Sequence, residues 1–199
     1  MPTREAEAVV IAISGPSGAG KTTLVAKVAA LLGDAATLYY DHYKAVARWH
    51  PDIRQWVEQG CDPNQFASIP QLVEDVRALR AGRAVVSPKS GQVIAPARYI
   101  VLEEPWGRDR DEMKPLIDFV AHIAIPLDIS LCRKLLREAA NPALHFDPLV
   151  FAQEYLTERV GDLYRRQQQV SEHADLVVDG LQPPDALAEI IAEQVRLRG

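Results

Sequence analysis

Cysteine is nearly absent from this chain. Cys61 and Cys132 are the only two, far apart and flanked by no metal-ligand spacing. That removes a disulfide framework as the organising device and fits a reducing compartment. Basic excess is lacking too: 22 Lys and Arg stand against 27 Asp and Glu, a formal charge of −5, so no general basic surface argues for nucleic-acid or membrane binding. No apolar run approaches the roughly 20 residues of a membrane helix. Residues 1–7 are polar and lead straight into an apolar run without a signal-peptide pattern, so the expected location is the cytoplasm. Internal repeats, low-complexity stretches and long linkers are also missing. The expectation is one domain spanning residues 1–199, with a core of ordinary size.

What is present is a phosphate-binding device. Residues 15–22 read Gly-Pro-Ser-Gly-Ala-Gly-Lys-Thr and fit G-x-x-x-x-G-K-[ST] at every fixed position. In that pattern the backbone N–H groups turn inward around a polyphosphate, the lysine reaches the β- and γ-phosphates, and the hydroxyl takes one position on Mg²⁺. The context agrees. Ala8–Ile13 is an unbroken apolar run, as expected for a strand buried on both faces. Thr23–Leu32 carries apolar side chains at helical spacing and ends at Gly33, so a helix N-terminus faces the anion. The expected nucleotide contacts are Gly15, Ser17, Gly18, Ala19, Gly20, Lys21, Thr22 and Thr23.

The rest of the chain alternates strand and helix. Ala36–Tyr40, Tyr99–Leu102, Phe119–Ile125 and Ala174–Val178 read as further strands. Helices are expected over Pro70–Ala81, about Met113–Ile117, Asp128–Ala139, about Pro148–Val170 and from Pro184 onward. Val85-Val86 and Gly91–Ile94 read as a short antiparallel excursion. The pattern predicts an α/β fold, a three-layer sandwich with a mostly parallel five-stranded sheet covered by helices on both faces. Ligands of such folds sit at the carboxyl ends of the strands, which makes the acids there informative. Asp41, after the second strand, is placed to orient or deprotonate a substrate hydroxyl. Glu103 follows the third strand as a Walker-B-like acid for Mg²⁺, with Glu104 beside it as the alternative. Arg133 and Arg137 lie four residues apart on one helical face, where they could close over the triphosphate as a lid spanning about residues 133–147. Tyr43, Trp49 and Trp56 could wall an acceptor, with buried packing expected for at least one tryptophan. The five histidines show no ligand spacing and read as structural or surface, His42 excepted because it adjoins Asp41.

Taken together, several segments resemble the uridine kinase-like branch of P-loop kinases, which includes uridine/cytidine, nicotinamide riboside, pantothenate and phosphoribulose kinases. Ile13–Thr23 is similar to its I-x-G-x-S-G-x-G-K-T-T, and Asp41-His42-Tyr43-Lys44 to its D-[SD]-[FY]-[YF] element. Ala95–Glu103 resembles the stretch ending in its acidic E-G pair, Asp128–Glu138 its lid helix, and Ala174–Val178 its late strand. The resemblance implies the P-loop NTPase fold, MgATP as donor, and Asp41 working at the acceptor hydroxyl. Three departures fall on the acceptor and lid side. Glu104 stands where the family usually has Gly, Pro88-Lys89-Ser90 stands in place of a P-x-Y-D stretch, and Ala139–Pro142 follows the lid helix where an E-R-G-R-like extension is expected.

The function expected is therefore a small-molecule kinase that moves the γ-phosphoryl group of MgATP to a hydroxyl of a nucleoside, sugar or related metabolite. The runner-up is a nucleotide-binding regulatory ATPase without that transfer. A GTPase-type switch lacks both its N-K-x-D and its D-x-x-G signatures. The acceptor, the choice of ATP over GTP, and assembly as monomer or homodimer are left open by the sequence.

Overall fold

The computed structural model describes residues 7–157 and 159–198; the polar segment Met1–Ala6 lies outside them. Five strands form the central sheet: β1 (Val9–Ser14), β2 (Ala35–Leu38), β3 (Tyr99–Glu103), β4 (Phe119–Ala124) and β5 (Leu176–Asp179). Their spatial order is β2-β3-β1-β4-β5, and every pairing is parallel. Parallel neighbours need crossovers. The helices of nine residues or more are α1 (Lys21–Leu32), α2 (Pro70–Arg80), α3 (Leu127–Ala139), α4 (Pro148–Thr157), α5 (Val160–Gln168) and α6 (Pro184–Arg198).

The apolar strands find their place through their alternation. Ile11, Ile13, Val101, Ala121 and Ile123 point to one face, where Leu24, Val25 and Val28 of α1 meet Leu187, Ile191 and Val195 of α6. Val10, Ala12, Ile100, Leu102 and Val120 point to the other face, packed on Leu72, Val73, Val76 and Leu79 of α2. Each such side chain contributes about 1.5–3 kcal/mol by leaving water. Two acids stitch the N-terminal strand ends. Asp118 accepts from the Val10 amide at 2.8 Å and Asp175 from the Val120 amide at 2.8 Å. Arg108 and Arg198 hold Asp175, each at 2.7 Å.

Two helix expectations are corrected. Residues 113–117 form successive turns and no helix; Pro115 removes a donor from so short a segment, while Met113, Leu116 and Ile117 still enter the core. The long helix expected from Pro148 to Val170 is two helices, α4 and α5, with Arg159 in the left-handed region at φ 60° and a 3₁₀ turn over Gln169–His173. The break folds Tyr155 back onto α5. A Cβ at Gly161 would stand 3.3 Å from the Tyr155 ring, which would have to give by a few tenths of an ångström. The antiparallel excursion is present as Val85–Val86 paired with Val93–Ile94.

Between β2 and α2 the chain makes a small aromatic cluster. Trp56, on a short helix Ile53–Glu58, is fully buried against Phe66 (5.0 Å between ring centroids) and Trp106 (6.1 Å), and its Nε1 donates to the Asp62 carbonyl at 2.7 Å. Trp56→Ala should lower unfolding stability by about 3–5 kcal/mol, read as a shift of the urea midpoint. A loss under 1 kcal/mol would show that this cluster does not support the fold.

Candidate active site

The loop between β1 and α1 can adopt its shape because three glycines take positive φ: Gly15 at 136°, Gly18 at 87° and Gly20 at 101°, conformations that other residues rarely reach. At Gly18 space is a second reason, since a Cβ would fall 2.0 Å from the Ser130 carbonyl oxygen. The first turn of α3 thus lies against the loop. α1 starts at Lys21 with no acid in its first turn and no side-chain cap at Gly20. Its leading N–H groups carry the positive end of the helix dipole toward the loop, a ready site for an anion.

Lys21 and Thr22 converge on one acid. The Lys21 ammonium donates to the Pro16 carbonyl at 3.0 Å and stands 3.8 Å from Glu103 Oε1, while Thr22 Oγ1 donates to Glu103 Oε2 at 3.1 Å. Burial lowers the Lys21 pKa, with Glu103 and Asp41 opposing that shift. Glu104 goes elsewhere. Successive side chains of a strand face opposite ways, and Glu104 is fully buried, 2.5 Å from Arg110, with the Trp106 amide on its other oxygen at 3.3 Å. Burial raises its carboxyl above the usual range and Arg110 opposes that. Arg110 also meets Glu112 at 3.1 Å. Of the two acids, Glu103 is the one at the phosphate loop, and Glu104 ties down the turn that follows β3.

Asp41 sits on a 3₁₀ turn, Tyr40–Tyr43, because β2 ends two residues earlier than the apolar pattern suggests. It is exposed and paired with Lys44 at 3.0 Å, yet near enough to Lys21 to favour that ammonium. Burial, then Lys89, depresses the pKa of the adjoining His42, against Asp41 and Glu103. Tyr43 is buried with its hydroxyl on Asp75 at 2.7 Å, which corrects its expected place on an acceptor wall. Trp49 is 40% exposed, edge-on to Tyr40 and Phe66, with its indole N–H on the Lys44 carbonyl at 3.2 Å. The expected pair of lid arginines divides: Arg133 donates to the Gly180 carbonyl at 3.0 Å, and Arg137 pairs with Glu138 at 3.0 Å. Arg137 is the one whose charge reaches Lys21.

His122 was not singled out by the sequence. On β4 it lies in register with Ser14, its Nδ1 3.1 Å from Ser14 Oγ, almost wholly buried. Burial, reinforced by Lys21, lowers its pKa to about 4. A histidine inside an apolar strand carries no pattern that marks it; only the register brings it under the loop.

A phosphate loop at the end of the central strand, with this parallel strand order, is the fold of the P-loop kinases. No family model matches the chain. It is 26% identical over 187 residues to a uridine kinase of Borreliella burgdorferi, covering 86% of each chain. It is 23% identical over 168 residues to inorganic pyrophosphatase TTM2 of Arabidopsis thaliana, covering 79% of this chain and 23% of that protein. Among solved structures, a possible uridine kinase from Bacillus stearothermophilus superposes with a TM-score of 0.54 at 19% identity, covering 89% of this chain and 92% of the other. The resemblance to uridine kinases and related P-loop kinases read from the motifs is met by these matches. Among the described residues no helix is long and apolar enough to cross a membrane.

Two outcomes follow from the buried charges. Glu104→Ala leaves Arg110 buried without its main partner and should cost about 3–5 kcal/mol in chemical denaturation. His122 titrates near 6.5 when unfolded and about 4 when folded. Between those values only the unfolded chain holds the proton, so stability falls as pH drops from about 6.5 to about 4, by at most about 3 kcal/mol. His122→Gln should flatten that part of the stability–pH curve; an unchanged slope rules His122 out as its source.

Proposed function

We propose that the protein is a small-molecule kinase that transfers the γ-phosphoryl group of MgATP to a hydroxyl of a nucleoside, sugar or related metabolite. The observation that carries this reading is the convergence of Lys21, Thr22 and Glu103 at the foot of a glycine loop, with the Asp41 turn beside them. Similarity to a uridine kinase over 86% of the chain supports it.

The donor half follows from charge. The loop amides and the α1 N-terminus surround the polyphosphate, and Lys21 exchanges its Pro16 carbonyl for phosphate oxygens. That exchange strengthens the contact, because the ammonium then faces a full opposite charge in place of a carbonyl dipole. A hydroxyl and a carboxylate suit Mg²⁺, and Thr22 with Glu103 would hold it. When bound, that ion neutralises charge on the phosphates. Among the described residues no group of three or more His, Cys, Asp or Glu gathers that could hold a metal, which suits an ion that arrives with the substrate's phosphates. Asp41 accepts a hydrogen bond from the acceptor hydroxyl and takes its proton as transfer proceeds. Arg137 approaches the developing charge from the lid. Arg133, anchored to Gly180, acts on the shape of that region.

A nucleotide-binding regulatory ATPase without small-molecule transfer is the second reading. Asp41 separates the two, since hydrolysis without an acceptor has no need of an acid on that turn. The experiment is a coupled ADP-release screen over nucleosides, vitamins and sugars, run with and without acceptor. Lys21→Ala should lower turnover by about 10²–10³-fold. Asp41→Asn should lower acceptor-dependent turnover by about 10²–10⁴-fold and leave ATP affinity within a factor of about three. ADP release that no acceptor stimulates would favour the ATPase, and a collapse of ATP affinity in Asp41→Asn would move that residue to the phosphate site.

A further inference from the structure

Tyr164, on α5, is 2% exposed. Its hydroxyl has no hydrogen-bond partner at normal geometry, although it stands beside Ser17 of the phosphate loop. A buried hydroxyl without a partner is costly, and most buried polar groups avoid that state. Apolar packing does not demand the oxygen, since a phenylalanine ring would fill the same space. The groups facing it from other elements are Tyr155 on α4 and Glu138 and Arg137 on α3. Glu138 is already engaged by Lys134 and Arg137. Burial keeps the phenol protonated, so what it presents toward the loop is a neutral O–H donor.

The ring carrying that hydroxyl is held in place. Tyr155 meets it edge-on at 5.3 Å and 81°. Phe151 lies 6.5 Å from Tyr155, and Phe146 5.6 Å from Phe151. Lys134 of α3 sits over Phe151 at 4.9 Å, a cation–π contact. An aromatic column therefore runs from the lid region to the loop and ends in an unused donor.

We propose that Tyr164 is a ligand of the donor's polyphosphate, its hydroxyl donating to a phosphate oxygen over Ser17, with the column Phe146–Phe151–Tyr155 coupling that contact to the lid. This rests on the reading of residues 15–22 as a polyphosphate site. The lid helices then respond to the phosphates themselves, whatever base the nucleotide carries. Arg137 and Tyr164 approach the bound anion from two elements that the column joins, which gives a chain without the E-R-G-R-like extension another way to couple lid and loop.

The test is calorimetric titration of the full chain, in Mg²⁺, with inorganic tripolyphosphate and with a non-hydrolysable ATP analogue. Tyr164→Phe should weaken both by about the same factor, on the order of 10-fold for one lost hydrogen bond to a charged group, with a ligand-free melting temperature that is unchanged or higher. Unchanged affinity for tripolyphosphate overturns the proposal, as does a loss that is accompanied by a lower ligand-free melting temperature. A loss that disappears when Ser17→Ala is already present makes the tyrosine a prop for the serine and also overturns direct donation. If the unmodified protein binds neither ligand, the phosphate-loop reading falls, and this proposal with it.

Discussion

The ammonium of Lys21 is taken almost wholly out of water, and much of the molecule is arranged around that charge. A buried cation needs compensation. Here it has one carbonyl, from Pro16, and one carboxylate 3.8 Å away, from Glu103. The Thr22 hydroxyl occupies the other carboxylate oxygen, and the uncapped N-terminus of α1 adds positive potential. Local charge therefore favours a multiply charged anion. The remaining architecture delivers these groups to one place: β1 brings the loop, β3 brings Glu103, β2 brings the Asp41 turn and β4 brings His122 under Ser14.

The alternation of β3 divides the labour of two neighbouring acids. Glu103 faces the side of α1 and meets the loop, whereas Glu104 faces the other side and pairs with Arg110 in the interior. A buried ion pair of this sort adds little net stability, yet removing one partner is expensive. Arg110, Glu112 and Glu104 together fix the turn after β3, and Trp106 from that turn completes the aromatic cluster with Trp56 and Phe66. Where the resembled pattern has a glycine, this chain has a buried polar anchor just after β3.

Much of the fold was legible in the residues. The five apolar runs became the five strands, because parallel strands buried on both faces need no polar alternation. Gly33 and the Ala81-Gly82 step closed helices where expected. The misses share one cause, since the decisive force was not local. β2 stops at Leu38 because the Tyr40–Tyr43 turn folds inward to put Tyr43 on Asp75. The run from Pro148 is divided at Arg159 because Tyr155 packs on Gly161 and Tyr164. Arg133 and Arg137, equivalent by helical spacing, part company because only Arg133 can reach the Gly180 carbonyl after β5.

The sequence by itself determined the glycine loop with its lysine and hydroxyl. A loop of eight residues contains its glycines, its lysine and its hydroxyl within one strand–turn–helix unit, so neighbours in the chain are neighbours in space. Only the tertiary structure decided which acid faces that loop, which tryptophan enters the core, that Tyr43 is buried, and that His122 and Tyr164 stand against loop residues from far along the chain. Those assignments depend on strand register, on the face each side chain takes, and on the return of α5 across the sheet. Pairings between residues more than one hundred positions apart leave no trace in local spacing.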